Sequence, residues 1–127
     1  MKLIPALFLA LLVSCSTAVY LEPGTPEAGV AIWGREYTLT DDPLSAAVAI
    51  VCNGKEYVTG DAGGRYVEML GADLIILSEP NRTNVFMIAH EMGHFYGYGH
   101  SDDIESIMYY KVNQAGFTNL RQFKEFR

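Results

Sequence analysis

The chain is short of cysteine and of positive charge, and each shortage excludes something. Two cysteines in 127 residues cannot build a disulfide-dense scaffold. Nine Lys and Arg stand against fifteen Asp and Glu, for a net charge of −6. A chain that acidic lacks the basic footprint of a nucleic-acid surface, and no nucleic-acid partner is expected. No apolar run reaches the ~18 residues that span a bilayer as a helix. What remains is an ordinary globular composition, 50% hydrophobic and 19% charged. It is too apolar for a disordered chain and of a length for one small domain, with a monomer expected.

Residues 1–14 read as a secretory signal. Lys2 supplies the positive start, and residues 3–13 form an apolar stretch of 11 interrupted by Pro5, too short for a transmembrane helix. The segment ends Leu12-Val13-Ser14-Cys15, which resembles a bacterial lipobox. That resemblance implies that Cys15 is acylated, becomes N-terminal and anchors the protein to a membrane. Ser16 in place of Asp leans towards the outer membrane. A cut after Ala18, with Ser16 and Ala18 as the small residues, would give a secreted protein instead, and a buried N-terminal helix is the third reading. Residues 15–24, with Pro23 and Gly24, are expected to be a tether, and residues 25–127 the folded domain. With Cys15 lipidated, Cys52 has no partner. Its apolar run, residues 47–52, predicts a buried free thiol rather than a reactive or zinc-blocking one.

Within the domain, residues 25–34 suit a short helix capped by Thr25 and closed by Gly34, with Val30 and Trp33 facing the core. Residues 36–40 and 46–52 read as strands. Asn53-Gly54 reads as a hairpin turn with a returning strand over 56–59. Residues 61–64 form a glycine-rich loop, 65–70 a strand or its continuation, and 72–78 a strand stopped by Pro80 and Asn81. Val85, Ile88, Ala89, Met92 and Phe95 recur at helical spacing after a run of capping residues. Thr118 suits the cap of a C-terminal helix over 119–126.

The long helix carries His90-Glu91-Met92-Gly93-His94, followed by Gly97 and His100. His90 and His94 are four residues apart, so both imidazoles project from one helical face. Two neutral ring nitrogens so placed can bind one Zn²⁺. Glu91 lies about 100° further round the helix, within reach of a water on the metal without being a ligand. Gly97 can adopt a left-handed conformation, end the helix and return the chain so that His100 supplies a third ligand. Three histidines leave the open position that a catalytic zinc needs. All three histidines of the chain fall in this pattern. Average composition would produce the five residues by chance on the order of once in ten thousand such chains.

This pattern resembles that of the metzincin zinc peptidases, H-E-x-x-H-x-x-G-x-x-H followed by a Met-turn. His90, Glu91, His94, Gly97 and His100 match it residue by residue, and Ser106-Ile107-Met108-Tyr109 corresponds to the Met-turn. The resemblance implies that Met108 is an apolar floor under the metal. Ser101 after the third His, and seven residues between His100 and Met108, are matrixin-like. Tyr110 departs from the matrixin pattern, which has Pro there. A Tyr at that place is astacin- or serralysin-like and implies packing or, alternatively, a contribution to the oxyanion. Asp102, Asp103 and Glu105 are expected to be solvated turn residues rather than a Ca²⁺ site.

The fold expected is a small α/β domain: a twisted mixed sheet, one helix before it, the zinc helix beneath it and a short C-terminal part. The function expected is a zinc-dependent endopeptidase of the cell envelope. Glu91 is the general base, and an extended peptide substrate pairs with an edge strand somewhere in residues 66–78. Tyr109, Tyr110 and Val112 suggest an apolar specificity pocket. A zinc- or peptide-binding lipoprotein without turnover is the alternative. Glu91 argues against it, because a storage site has no need of that carboxylate.

Overall fold

The computed structural model describes residues 16–52, 63–111 and 116–127. Five strands form one sheet: β1 (Thr17–Leu21), β2 (Tyr37–Leu39), β3 (Val48–Cys52), β4 (Gly64–Val67) and β5 (Asp73–Leu77), in the order β2-β1-β3-β5-β4. β2, β1, β3 and β5 are mutually parallel, and β4 runs antiparallel to β5 at the edge. The β-branched, continuously apolar run of β3 suits an inner strand of a parallel sheet, covered on both faces. Its neighbours β1 and β5 occupy both of its edges.

Among the described residues two α-helices accompany the sheet, the single-turn α1 (Ala28–Ala31) and the long α2 (Val85–Phe95). They cross closely at Gly29, where a Cβ would stand 2.6 Å from Ile88 Cγ2. Asn84 caps α2, its side chain accepting from the backbone N–H groups of Phe86 and Met87, which satisfies donors that the first turn leaves open. The apolar stripe of α2, Ile88 and Met92 above all, closes onto Val19, Val30, Val48, Ile50, Ile75 and Leu77. Ile107, Met108, Leu120 and Phe123 extend that core under the C-terminal segment.

The mixed sheet and the helix through the motif agree with expectation. Several local expectations need correction. Residues 17–21, expected within a tether, are the second strand of the sheet: Ala18 O accepts from Ala47 N at 2.8 Å and Glu22 N donates to Ile50 O at 3.0 Å. Alternating Ala-Val-Tyr-Leu is strand-forming, and the Pro and Gly that suggested a tether begin only after it. The first helix is shorter than residues 25–34 and is entered at Glu27, not Thr25. The expected C-terminal helix is instead two 3₁₀ turns, Leu120–Gln122 and Lys124–Phe126. Asn119, not Thr118, caps the first of them, in a reciprocal box with Gln122. Phe123 between them is extended and fully buried, so packing of that ring interrupts the helix. The hairpin at 53–54, its strand at 56–59, the signal segment and Val112 lie outside the described residues.

Candidate active site

α2 delivers His90 and His94 on one face, one turn apart, with their rings 4.9 Å apart between centroids. The helix then ends in two reciprocal bonds. Gly97 N donates to His94 O at 3.0 Å, and Tyr98 N donates to Gly93 O at 2.9 Å. Both require the left-handed residue between them, and Gly97 has φ +96°. A Cβ there would meet nothing within 4 Å, so glycine is needed for its conformation and not for space. The turn brings His100 back to ring-centroid distances of 5.3 Å from His90 and 4.9 Å from His94. One ring nitrogen from each of the three lies within 4.8 Å of the others.

The two helical histidines are held from behind. His90 Nδ1 sits 2.7 Å from Ile107 O and His94 Nδ1 sits 2.9 Å from Tyr98 O. A carbonyl only accepts, so each Nδ1 carries the hydrogen and each Nε2 keeps its lone pair. Burial pushes His90 down to about 4, against the opposing pull of its Ile107 bond, with His94 and His100 lowering it further. Burial also lowers His94. His90 and His94 are therefore neutral near pH 7, and the three imidazoles fit a borderline-soft cation such as Zn²⁺.

Glu91 faces the other way from the solvent and is 5% exposed. Burial raises its carboxyl to about 7, and a backbone hydrogen bond from Tyr66 of β4 pulls it the other way. Its room comes from Gly64, where a Cβ would stand 3.3 Å from Glu91 Cγ and 3.0 Å from Met87 Cγ. The carboxyl is thus wedged between α2 and the edge strand, beside the histidine face.

Met108 packs against α2 at Gly93. A Cβ on Gly93 would stand 2.2 Å from Met108 Sδ and 3.1 Å from Trp33 Cζ2. Gly93 costs helix stability relative to Ala, and the sulfur packed against it is the reason it is there. Ser101 N donates to Met108 O at 2.9 Å, which ties the residue after His100 to Met108. Trp33 does more than face the core. Its Nε1 donates to Ala89 O at 3.0 Å, and its ring stacks on Tyr98 at 5.5 Å and 19°. It therefore braces the residue whose carbonyl holds His94. Arg35 adds to this, lying 4.2 Å over the Tyr96 ring and donating to Tyr98 Oη at 3.3 Å. The sequence carried no signal for those braces, because they are long-range and one of the two acceptors is backbone.

Tyr110 is about half exposed and packs on its chain neighbours. Its ring lies 4.9 Å from Tyr109, and Lys111 Nζ lies 5.5 Å from it. Asp103 and Glu105 shape their own turn, Glu105 N donating to Asp103 Oδ1 at 2.9 Å, and pair with Lys124 and Arg127. Cys52 is a free, half-buried thiol that donates to Glu79 Oε2 at 2.6 Å. Burial first, then that bond, raises it to about 11, so it is protonated and unreactive near neutrality. A cleft of about 450 Å³ lies between α1, the first turn of α2 and residues 118–121, at the other end of α2 from His94.

A small mixed α/β domain with an antiparallel edge strand, a helix bearing two histidines and a third returned by a glycine turn defines a three-histidine site that could hold a metal ion. Residues 32–123 match the family model of the matrixins, peptidase family M10. The chain belongs to the matrixin family of zinc metallopeptidases. No curated protein sequence matches it.

Proposed function

We propose that the protein is a zinc-dependent endopeptidase in which His90, His94 and His100 hold the metal and Glu91 is the general base. The observation that carries this is the backing of His90 and His94 by carbonyls, which leaves their Nε2 atoms unprotonated in a triad whose ring nitrogens lie within 4.8 Å of one another, on the helix that also carries a buried carboxyl raised to about 7. Bound zinc would supply a Lewis acid for the scissile carbonyl and the attacking water. Glu91 takes the proton of that water and passes it to the leaving amine, a task for which a carboxyl near neutrality is suited. Met108 provides the apolar floor. A buried carboxylate is costly to keep without a task, which favours turnover over zinc storage.

β4 is one of the two edge strands of the described sheet and the one that touches Glu91, so an extended peptide is proposed to add to it antiparallel or parallel by backbone hydrogen bonds. Tyr110 is proposed to pack at the rim of the site, with a contribution to the oxyanion as the alternative. The protein is proposed to act as a monomer on protein or peptide substrates at the cell envelope, anchored by lipid on Cys15. Support for lipidation over a cut after Ala18 comes from β1. Such a cut would remove Thr17 and Ala18, which pair with Tyr37 and Thr38.

The test is zinc content and peptidase activity on the purified protein, beside Glu91→Ala. One equivalent of zinc in both and cleavage by wild type alone is expected. Zinc with no cleavage of a broad peptide library by wild type would overturn the peptidase reading, and absence of zinc would overturn the metal reading. Loss of labelling by a radiolabelled fatty acid in Cys15→Ala checks the anchor.

A further inference from the structure

Glu125 stands 35 residues after His90 in the chain, in the last 3₁₀ turn, Lys124–Phe126. Its carboxylate reaches the Met-turn at two points. Oε2 accepts from Ile107 N at 3.0 Å, and Oε1 accepts from the hydroxyl of Ser106. The same hydroxyl oxygen accepts from Met108 N at 3.0 Å. Met108 N–H belongs to the peptide unit whose carbonyl is Ile107 O, and that carbonyl accepts from His90 Nδ1 at 2.7 Å. A continuous chain of hydrogen bonds therefore runs from the carboxylate through the Ser106 hydroxyl and the 107–108 peptide to a histidine of the triad. Every donor along it points the same way, towards the carboxylate. Ser106 is 1% exposed and Ile107 fully buried, so water does not compete at the middle of the chain.

We propose that Glu125 is a positioning residue for the metal site. Its negative charge polarises the Ser106 hydroxyl and, through it, the 107–108 peptide, so that Ile107 O holds the hydrogen of His90 on Nδ1 and leaves Nε2 the stronger donor. Hydrogen-bonded chains reinforce one another in this way inside proteins, and partners behind a ligating histidine tune its affinity for metal. The relay rests on the zinc reading above only for its consequence. The tautomer it sets is a property of the metal-free protein.

The experiment uses the full chain with Glu125→Ala, Glu125→Gln and Ser106→Ala, and Lys124→Ala as a neighbour that touches the same loop but not the relay. Long-range ¹H–¹⁵N NMR of the metal-free proteins reads the His90 tautomer, and competition with a chelator reads zinc affinity. Wild type is expected wholly in the Nδ1–H form. Glu125→Ala and Ser106→Ala are expected to mix the tautomers and to weaken zinc binding by about 10–100-fold. Glu125→Gln, which keeps an acceptor for Ile107 N–H without the charge, should recover part of that loss. Lys124→Ala should leave both readouts unchanged. A wild-type tautomer with affinity within about twofold in Glu125→Ala overturns the proposal, as does an equal loss in Lys124→Ala. Should Glu125→Ala fail to fold, Glu125→Gln and Ser106→Ala decide it by the same readouts. If wild type binds no zinc, the metal reading fails and the tautomer result still decides the relay.

Discussion

The sheet with α2 and the loop segment from Gly97 to the C-terminal turns build the site by different means. In the first, strand registers and an apolar helix stripe do the work, and Ile88, Met92, Ile50 and Leu77 are buried with neighbours on every side. In the second, regular structure is scarce, and single polar contacts hold the chain: Ser101 N to Met108 O, Lys124 N to Glu105 O at 2.8 Å, and the Glu125 carboxylate on the Met-turn. Two of the three histidines stand on the first region and one on the second. The lesson is that the regular half supplies direction, through periodicity, while the irregular half supplies closure, through hydrogen bonds to backbone.

The largest effect that would sharpen this contrast lies in the regular half and in its pH dependence. In the metal-free protein, Glu91 titrates at about 7 against an ordinary 4.5. Between those values the unfolded chain has released the proton and the folded one keeps it, so stability falls as pH rises. His90 does the opposite: its value is about 4 against 6.5, so between those values stability rises with pH. The two slopes oppose each other where the windows overlap. Glu91→Gln removes the falling one. Denaturant titrations of metal-free protein should show the variant no better than wild type below about pH 4.5 and ahead by on the order of 3 kcal/mol above pH 7. A constant difference across that range would contradict the buried, raised carboxyl.

Next comes the seam between the halves. Gly93→Ala drives a methyl into the space of Met108 Sδ and should cost about 1–3 kcal/mol through overpacking, despite alanine's better helix propensity. Thermal melts check this, and in a Met108→Ala background the added cost of Gly93→Ala should vanish if the clash is the cause. A stabilised single variant would show that the seam is looser than drawn. Smaller again, Asn84→Ala removes the cap of α2 and should cost about 1 kcal/mol, read by the denaturation midpoint. Smallest of all is Lys124→Ala in the irregular half. It loses an exposed ion pair to Asp103 but keeps the backbone bond of Lys124 to Glu105. The melting temperature should hardly move, and less at high salt. A large drop would mean that exposed pairs, and not the relay and backbone bonds, hold the loop.

Legibility in the sequence follows the same division. β3, β5 and α2 were readable because each announces itself locally, by a β-branched run or by apolar residues at helical spacing. β1 was not, because Pro23 and Gly24 behind it looked like a tether and its partners Tyr37 and Val48 are distant in the chain. The C-terminal helix was misread because Asn119 caps a genuine turn that burial of Phe123 then breaks. Gly97 was readable as a helix stop. Gly93 was not readable as the seat of Met108.

By itself the sequence determined that two imidazoles share a helix face, that a carboxylate stands beside them and that a glycine turn can return a third. Those are consequences of a 3.6-residue period and of glycine's freedom, which act over a few residues. Only the tertiary structure decided which nitrogen of each helical histidine faces the site, how deep Glu91 is buried and what holds Met108 in place. Apart from Tyr98 behind His94, each of those depends on a group far away in the chain (Ile107, Tyr66, Glu125), and hydrogen-bond partners and burial are set by the packing that brings such groups together.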